Sequence, residues 1–290
     1  GTTTLGGVIG GISGQKLSTL TTDAAGTTAI NGGAISTTGT QTYNDAVTLG
    51  VDTVLSATTV TFNGTVFGSS SLTITGAAVF GNAAVDTVTL SGTNKNLSIS
   101  GTTTINTTGI TTSGTQTYTD AVTLGANAIL TSTGASTAGN ITFTSTLDSD
   151  AVGTPRALTV NSAGTTTFGG IVGATPLASL TTDAAGTTAI NGAAVTTAGA
   201  QTYNDNVTLG ADTTLTTTAS SANGNVLFSS TLNSANATLR TLNIAAGTGT
   251  VTFTGTVGND NALSNITITA ATTTNSSTLV GSGTYAITGN

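Results

Sequence analysis

Short runs in which an apolar residue alternates with threonine or serine recur along the whole chain. That period of two predicts β-strands with one buried face. Thr59-Val60-Thr61-Phe62, Leu72-Thr73-Ile74, Val88-Thr89-Leu90, Leu97-Ser98-Ile99, Val122-Thr123-Leu124, Ile141-Thr142-Phe143, Leu158-Thr159-Val160, Val251-Thr252-Phe253 and Ile266-Thr267-Ile268 all follow it. Turn signals lie between the runs, clearest at Asn31-Gly32, Asn63-Gly64, Ser91-Gly92, Ser113-Gly114 and Asn223-Gly224. Gly and Asn tolerate the positive φ that tight turns require. Threonine, stiff at χ1, suits a pleated surface, while Glu and Met are absent and Lys and Arg together number four, so helix content is expected to be close to nil.

Internal repetition sets the architecture. Residues 18–50 return at 179–209, where TLTTDAAGTTAING from Thr19 reappears as SLTTDAAGTTAING from Ser179. The phrase QTYxDxVTLG begins at Gln41, Gln116 and Gln201, and Gly139-Asn140-Ile141-Thr142-Phe143 pairs with Gly224-Asn225-Val226-Leu227-Phe228. A coil of three short strands and three turns takes on the order of 20–25 residues and climbs one strand spacing of ~4.8 Å. The chain is therefore expected to be all-β: one continuous right-handed parallel β-helix, or β-solenoid, over residues 1–290. Tandem β-sandwich domains are the alternative, since a repeat of this length also fits a sandwich. Against them stand the lack of Trp, of a Pro-rich linker and of any shift in composition along the chain.

Composition narrows the chemistry. Thr supplies 75 of the 290 residues and Gly 39, and only 15 residues carry charge. In a stacked coil, like charges repeated every ~4.8 Å repel by about 1 kcal/mol even in water, whereas Thr, Ser and Asn hydrogen-bond along the axis. With no His, Cys or Glu, the chain lacks the imidazole bases, thiolates and common zinc ligands of most enzymes. It is expected not to be an enzyme and to need no cofactor. The net charge of −7 leaves no basic patch for nucleic acid, and no apolar run is long enough for a membrane helix.

The phrases Thr111-Thr112-Ser113-Gly114-Thr115-Gln116-Thr117-Tyr118 and Leu158-Thr159-Val160-Asn161-Ser162-Ala163-Gly164 resemble the passenger regions of filamentous haemagglutinin-like and autotransporter-type bacterial exoproteins, and the resemblance covers nearly the whole chain. It implies a right-handed parallel β-helix, export to the bacterial surface, and adhesion or matrix building. Function is accordingly expected to be that of an extracellular, structural and adhesive segment. Gly1-Thr2-Thr3-Thr4-Leu5-Gly6-Gly7 matches Gly164-Thr165-Thr166-Thr167-Phe168-Gly169-Gly170, and the chain stops at Gly289-Asn290. It therefore reads as a piece of a longer repetitive protein or as a unit that stacks end to end, a filament in either case. Host or matrix glycans and proteins are the expected partners.

A glycan- or calcium-binding module is the alternative function. Asp148 and Asp150 form the densest acidic pair, beside Pro155 and Arg156, and are the candidate Ca²⁺ ligands. Asp23 with Asp183, and Asp45 with Asp120 and Asp205, recur at matching repeat positions, which points to turn caps through Asx hydrogen bonds. Tyr43, Tyr118 and Tyr203 recur in QTYxDxVTLG and are candidate surface-contact aromatics; the competing expectation is a ring buried against the stack with its hydroxyl in water. Thr73/Thr75, Thr252/Thr254 and Thr267/Thr269 are Thr-x-Thr pairs of the kind that ice-binding solenoids array, a lesser alternative.

Overall fold

A computed structural model describes residues 1–11, 16–83, 85–218, 223–275 and 285–289; Asn290, named above as the end of the chain, lies outside them. Every strand named above forms, with its apolar residues inside. Every strand pairing among the described residues is parallel and joins strands one coil apart. The chain is a β-solenoid of about 12 turns, not a row of antiparallel sandwiches.

The coil is three-sided. On the first face the strands Thr2–Leu5, Thr27–Ile30, Ala46–Leu49, Val66–Gly68 and Thr87–Leu90 begin a ladder of 13 strands that ends at Thr272–Asn275. The second face carries Ala34–Ser36, Leu97–Ile99, Gln116–Tyr118 and Ile141–Phe143, and the third carries Gln41–Tyr43, Thr103–Ile105, Val122–Leu124 and Leu147–Ser149. Two long strands, Thr53–Phe62 and Leu72–Phe80, turn the corner between second and third faces without leaving the ladder. Coil length varies: Thr27 pairs with Ala46 after 19 residues, and Ile129 with Thr159 after 30. The added residues sit at corners, where chain length does not disturb the ladders. The single described helical element is the 3₁₀ turn Ser136–Gly139, in that longest coil.

Glycine at the corners answers to the stack as well as to φ. At Gly76, φ is +124°, and a Cβ there would strike the Ala57 carbonyl oxygen of the coil beneath. Asn-Gly was expected to supply positive φ, but Gly32 has no such angle. Its hydrogen is needed because the backbone of Gly7, one coil away, occupies the space of a Cβ. Parallel coils ~4.8 Å apart leave corner backbones in contact, so small residues are required there for a reason that a single-coil view of turns omits.

The interior is a narrow apolar column with three aromatic stacks. Tyr43, Phe62 and Phe80 stack on the third face, Tyr118, Phe143 and Phe168 on the second, and Tyr203, Phe228 and Phe253 on the first. Ring centroids are 5.1–5.7 Å apart with nearly parallel planes. The ladder imposes this spacing: residues in register climb one strand separation per coil, and rings leaning along the axis meet face to face.

The repeats are out of step with the coil. From Gln41–Tyr43 to Gln116–Tyr118, and again to Gln201–Tyr203, the chain lays down eleven strands, counting each corner-turning strand once per face. Eleven strands on three faces make three and two-thirds turns. The same module therefore starts on the third face, then the second, then the first, and the three stacks follow it around the rod.

Candidate functional site

The repeated phrase builds a buried polar unit. In Gln41-Thr42-Tyr43-Asn44-Asp45-Ala46-Val47 the odd-numbered residues all point inward. The Tyr43 hydroxyl donates to Gln41 Oε1 at 3.0 Å, and Gln41 Nε2 donates to the carbonyls of Ile35 and Ser56, both at 3.1 Å. Gln116 and Gln201 repeat this, bridging Ile110 to Thr131 and Val195 to Thr216, with Tyr118 and Tyr203 donating to them. Each glutamine thus ties two successive coils at a corner. The three tyrosines are 0% exposed. This corrects both the surface-contact reading and the expectation of a wet hydroxyl: the ring completes an aromatic stack and its hydroxyl has an interior acceptor. Burial raises the pKa of each phenol well above its ordinary value.

The recurring aspartates divide by environment. Asp45 is buried and accepts hydroxyls from Thr22 and Thr28 at 2.8–2.9 Å; Asp205 does the same with Thr182 and Thr188. These are inter-coil bonds of interior carboxylates, so the Asx-cap expectation is corrected for both. Asp120 is exposed and accepts only from its neighbour, the Ala121 N–H. The reason is one residue: Ile99 stands opposite Tyr118 where Thr182 stands opposite Tyr203. An inward carboxylate would meet a butyl group there, and the cost of desolvating it would be uncompensated. The other half of the site survives, and the Thr103 hydroxyl is buried without a hydrogen-bond partner. Replacing Ile99 with Thr is expected to draw the Asp120 carboxylate inside, between the new hydroxyl and Thr103, and to lower stability at neutral pH by about 1–3 kcal/mol, because a fully buried apolar side chain is lost and a carboxylate is desolvated. A crystal structure of I99T with the carboxylate still in solvent would refute this.

Each carboxylate of the candidate calcium pair has a protein partner. Asp150 takes two hydrogen bonds from the Arg156 guanidinium, at 2.8 and 3.1 Å, and these hold its pKa below the usual carboxylate range. Asp148 accepts the Thr175 N–H at 2.9 Å from the next coil. Among the described residues no three acidic groups come together as a metal site would require. Asp183 accepts the Ser162 N–H across coils, and Asp23 lies on the surface. The Thr-x-Thr pairs do not share a plane: Thr73/Thr75 face outward on the second face, Thr252/Thr254 on the first, and Thr267/Thr269 on the third. What does run along one face is a single file of hydroxyls, Thr73, Ser98, Thr117, Thr142 and Thr167, in consecutive register on the second face.

Sequence reasoning did not single out Phe67. Of the seven phenylalanines, six are buried, while Phe67 is 41% exposed and points outward from Val66–Gly68. The signal was its phase: Phe67 follows an inward Val66, where the equivalent strands Leu147–Ser149 and Leu232–Ser234 carry Asp148 and Asn233.

Fold and interior together define a β-solenoid repeat protein. No protein-family model, curated protein or solved structure matches the chain.

Proposed function

We propose that the chain is a non-catalytic structural and adhesive rod, a segment of an extracellular bacterial surface protein of the filamentous haemagglutinin-like or autotransporter type. The observation that carries this reading is the phase of the repeats. A module of three and two-thirds turns carries its side chains to a new face each time, so equivalent residues never line up in one groove. Catalysis needs several groups converging on one substrate; this arrangement instead spreads hydroxyls around the rod. About 12 turns give a spacer of roughly 60 Å at the strand spacing. A parallel ladder extends by the addition of further coils in register, and the proposal includes such a filament, whether by covalent continuation or by self-association. Host or matrix glycans and proteins are the proposed partners.

The test is adhesion without turnover. Beads coated with the purified chain are expected to attach to epithelial monolayers or extracellular-matrix coatings above albumin-coated controls, while a panel of polysaccharides incubated with the chain releases no reducing ends. Release of reducing ends, or attachment no greater than the controls, would overturn the proposal.

A further inference from the structure

Phe67 lies in an open groove whose counterparts in the other two repeats are closed by the protein itself. Asp148 is covered by the next coil, where the irregular strand Val172–Leu177 brings the Thr175 N–H onto its carboxylate. Asn233 is buried beneath the chain at 258–262, and its side-chain oxygen accepts the Asp260 N–H at 3.1 Å. In the first repeat the next coil offers only the regular strand Thr87–Leu90, with Thr89 in register with Phe67. Among the described residues nothing folds over the ring, which is 41% exposed. What remains is a concavity of about 570 Å³ floored by Phe67 between Thr48 and Thr89 and notched at Gly50 and Gly68, with Ser91 at its edge.

We propose that this groove is a binding site for a neutral saccharide. Its residues carry no formal charge, so neither a sulfated nor a carboxylated chain finds a counter-ion in it. An exposed aromatic side chain flanked by hydroxyls suits the two surfaces of a pyranose: an apolar C–H face that packs on the ring, and an equatorial rim of hydroxyls that hydrogen-bond to Thr48, Thr89 and Ser91. The occupant takes the place of the chain segments that cover this position in the other repeats. The inference deepens the adhesive reading above and rests on it.

Titration calorimetry of the full chain with cellohexaose, maltohexaose and mannohexaose tests it. At least one is expected to bind with a Kd of about 1 mM or tighter. Phe67→Ala is expected to weaken that binding about tenfold, Phe67→Trp to retain it, and Ile129→Ala, which alters another exposed apolar residue of the same face, to leave it unchanged. Because Phe67 is outside the core, circular dichroism of F67A should match the parent. Failure of all three sugars, equal binding by F67A, or binding confined to a sulfated hexasaccharide would each overturn the site. The bead assay separates the two proposals: attachment that persists in a chain binding no neutral sugar refutes the groove alone, and sugar binding at Phe67 without attachment refutes the adhesive reading alone.

Discussion

Phe143→Ala is expected to lower the unfolding free energy by about 3–5 kcal/mol, the usual cost of emptying a buried phenylalanine site. Phe143 is the middle ring of its stack, 5.2 Å from Tyr118 and 5.6 Å from Phe168, and is 1% exposed. Its loss takes away both ring contacts and leaves a cavity that cannot collapse, because the ladders on either side hold Gln116 and Thr166 in register with Ile141. In a solenoid, stability is close to a sum of coil and interface contributions. The damage should therefore be local, with amide exchange accelerating most in the coils holding residues 116–168 and least near the termini. Urea denaturation combined with hydrogen exchange checks both; a change under about 1 kcal/mol, or uniform acceleration along the rod, would show that the stacks do not bear on cohesion as proposed.

The second large effect concerns pH. Burial raises the Asp205 carboxyl from 3.8 to about 6, against the opposing pull of the Thr182 and Thr188 hydroxyls. Between those values the folded chain holds a proton that the unfolded chain has released. Unfolding free energy therefore falls as pH rises through this window, reaching a deficit of roughly 3 kcal/mol above pH 6. Asp52 and Asp150 are shifted the other way by their hydrogen bonds and ion pairs, so their contributions are lost only below the ordinary carboxylate value. Urea midpoints should accordingly be higher at pH 4.5 than at pH 7.5. Asp205→Asn should remove most of that difference, and a parent chain more stable at pH 7.5 would contradict the assignment.

The alternation of Val-Thr-Leu and Ile-Thr-Phe runs made the strands legible in the sequence. The spacing of the repeats made the solenoid legible, because strands this short and this uniform close only by stacking. The interior polar unit was equally present in the pattern: Gln41, Tyr43, Asp45, Val47 and Leu49 are all in phase. The recurrence of Asp45, Asp120 and Asp205 at matching repeat positions pointed to turn caps and away from following that phase inward. What keeps Asp120 outside could not be read from its own repeat phrase, because the deciding residue, Ile99, belongs to the preceding coil and meets it only through the ladder. Phe67 escaped for the same kind of reason. Its openness depends on the absence of a cover that the second and third repeats draw from residues 27 positions further on, as Asp148 does from Thr175.

The mismatch between module and coil makes the rod a vernier. Gaining or losing one module changes its length by three and two-thirds coils and also swings everything beyond the junction by a third of a revolution. A groove such as that at Phe67, carried on one module, would be re-aimed by any such change upstream. Only modules exchanged in threes preserve its bearing, so two chains that differ by a single duplication would present the same surface chemistry in different directions.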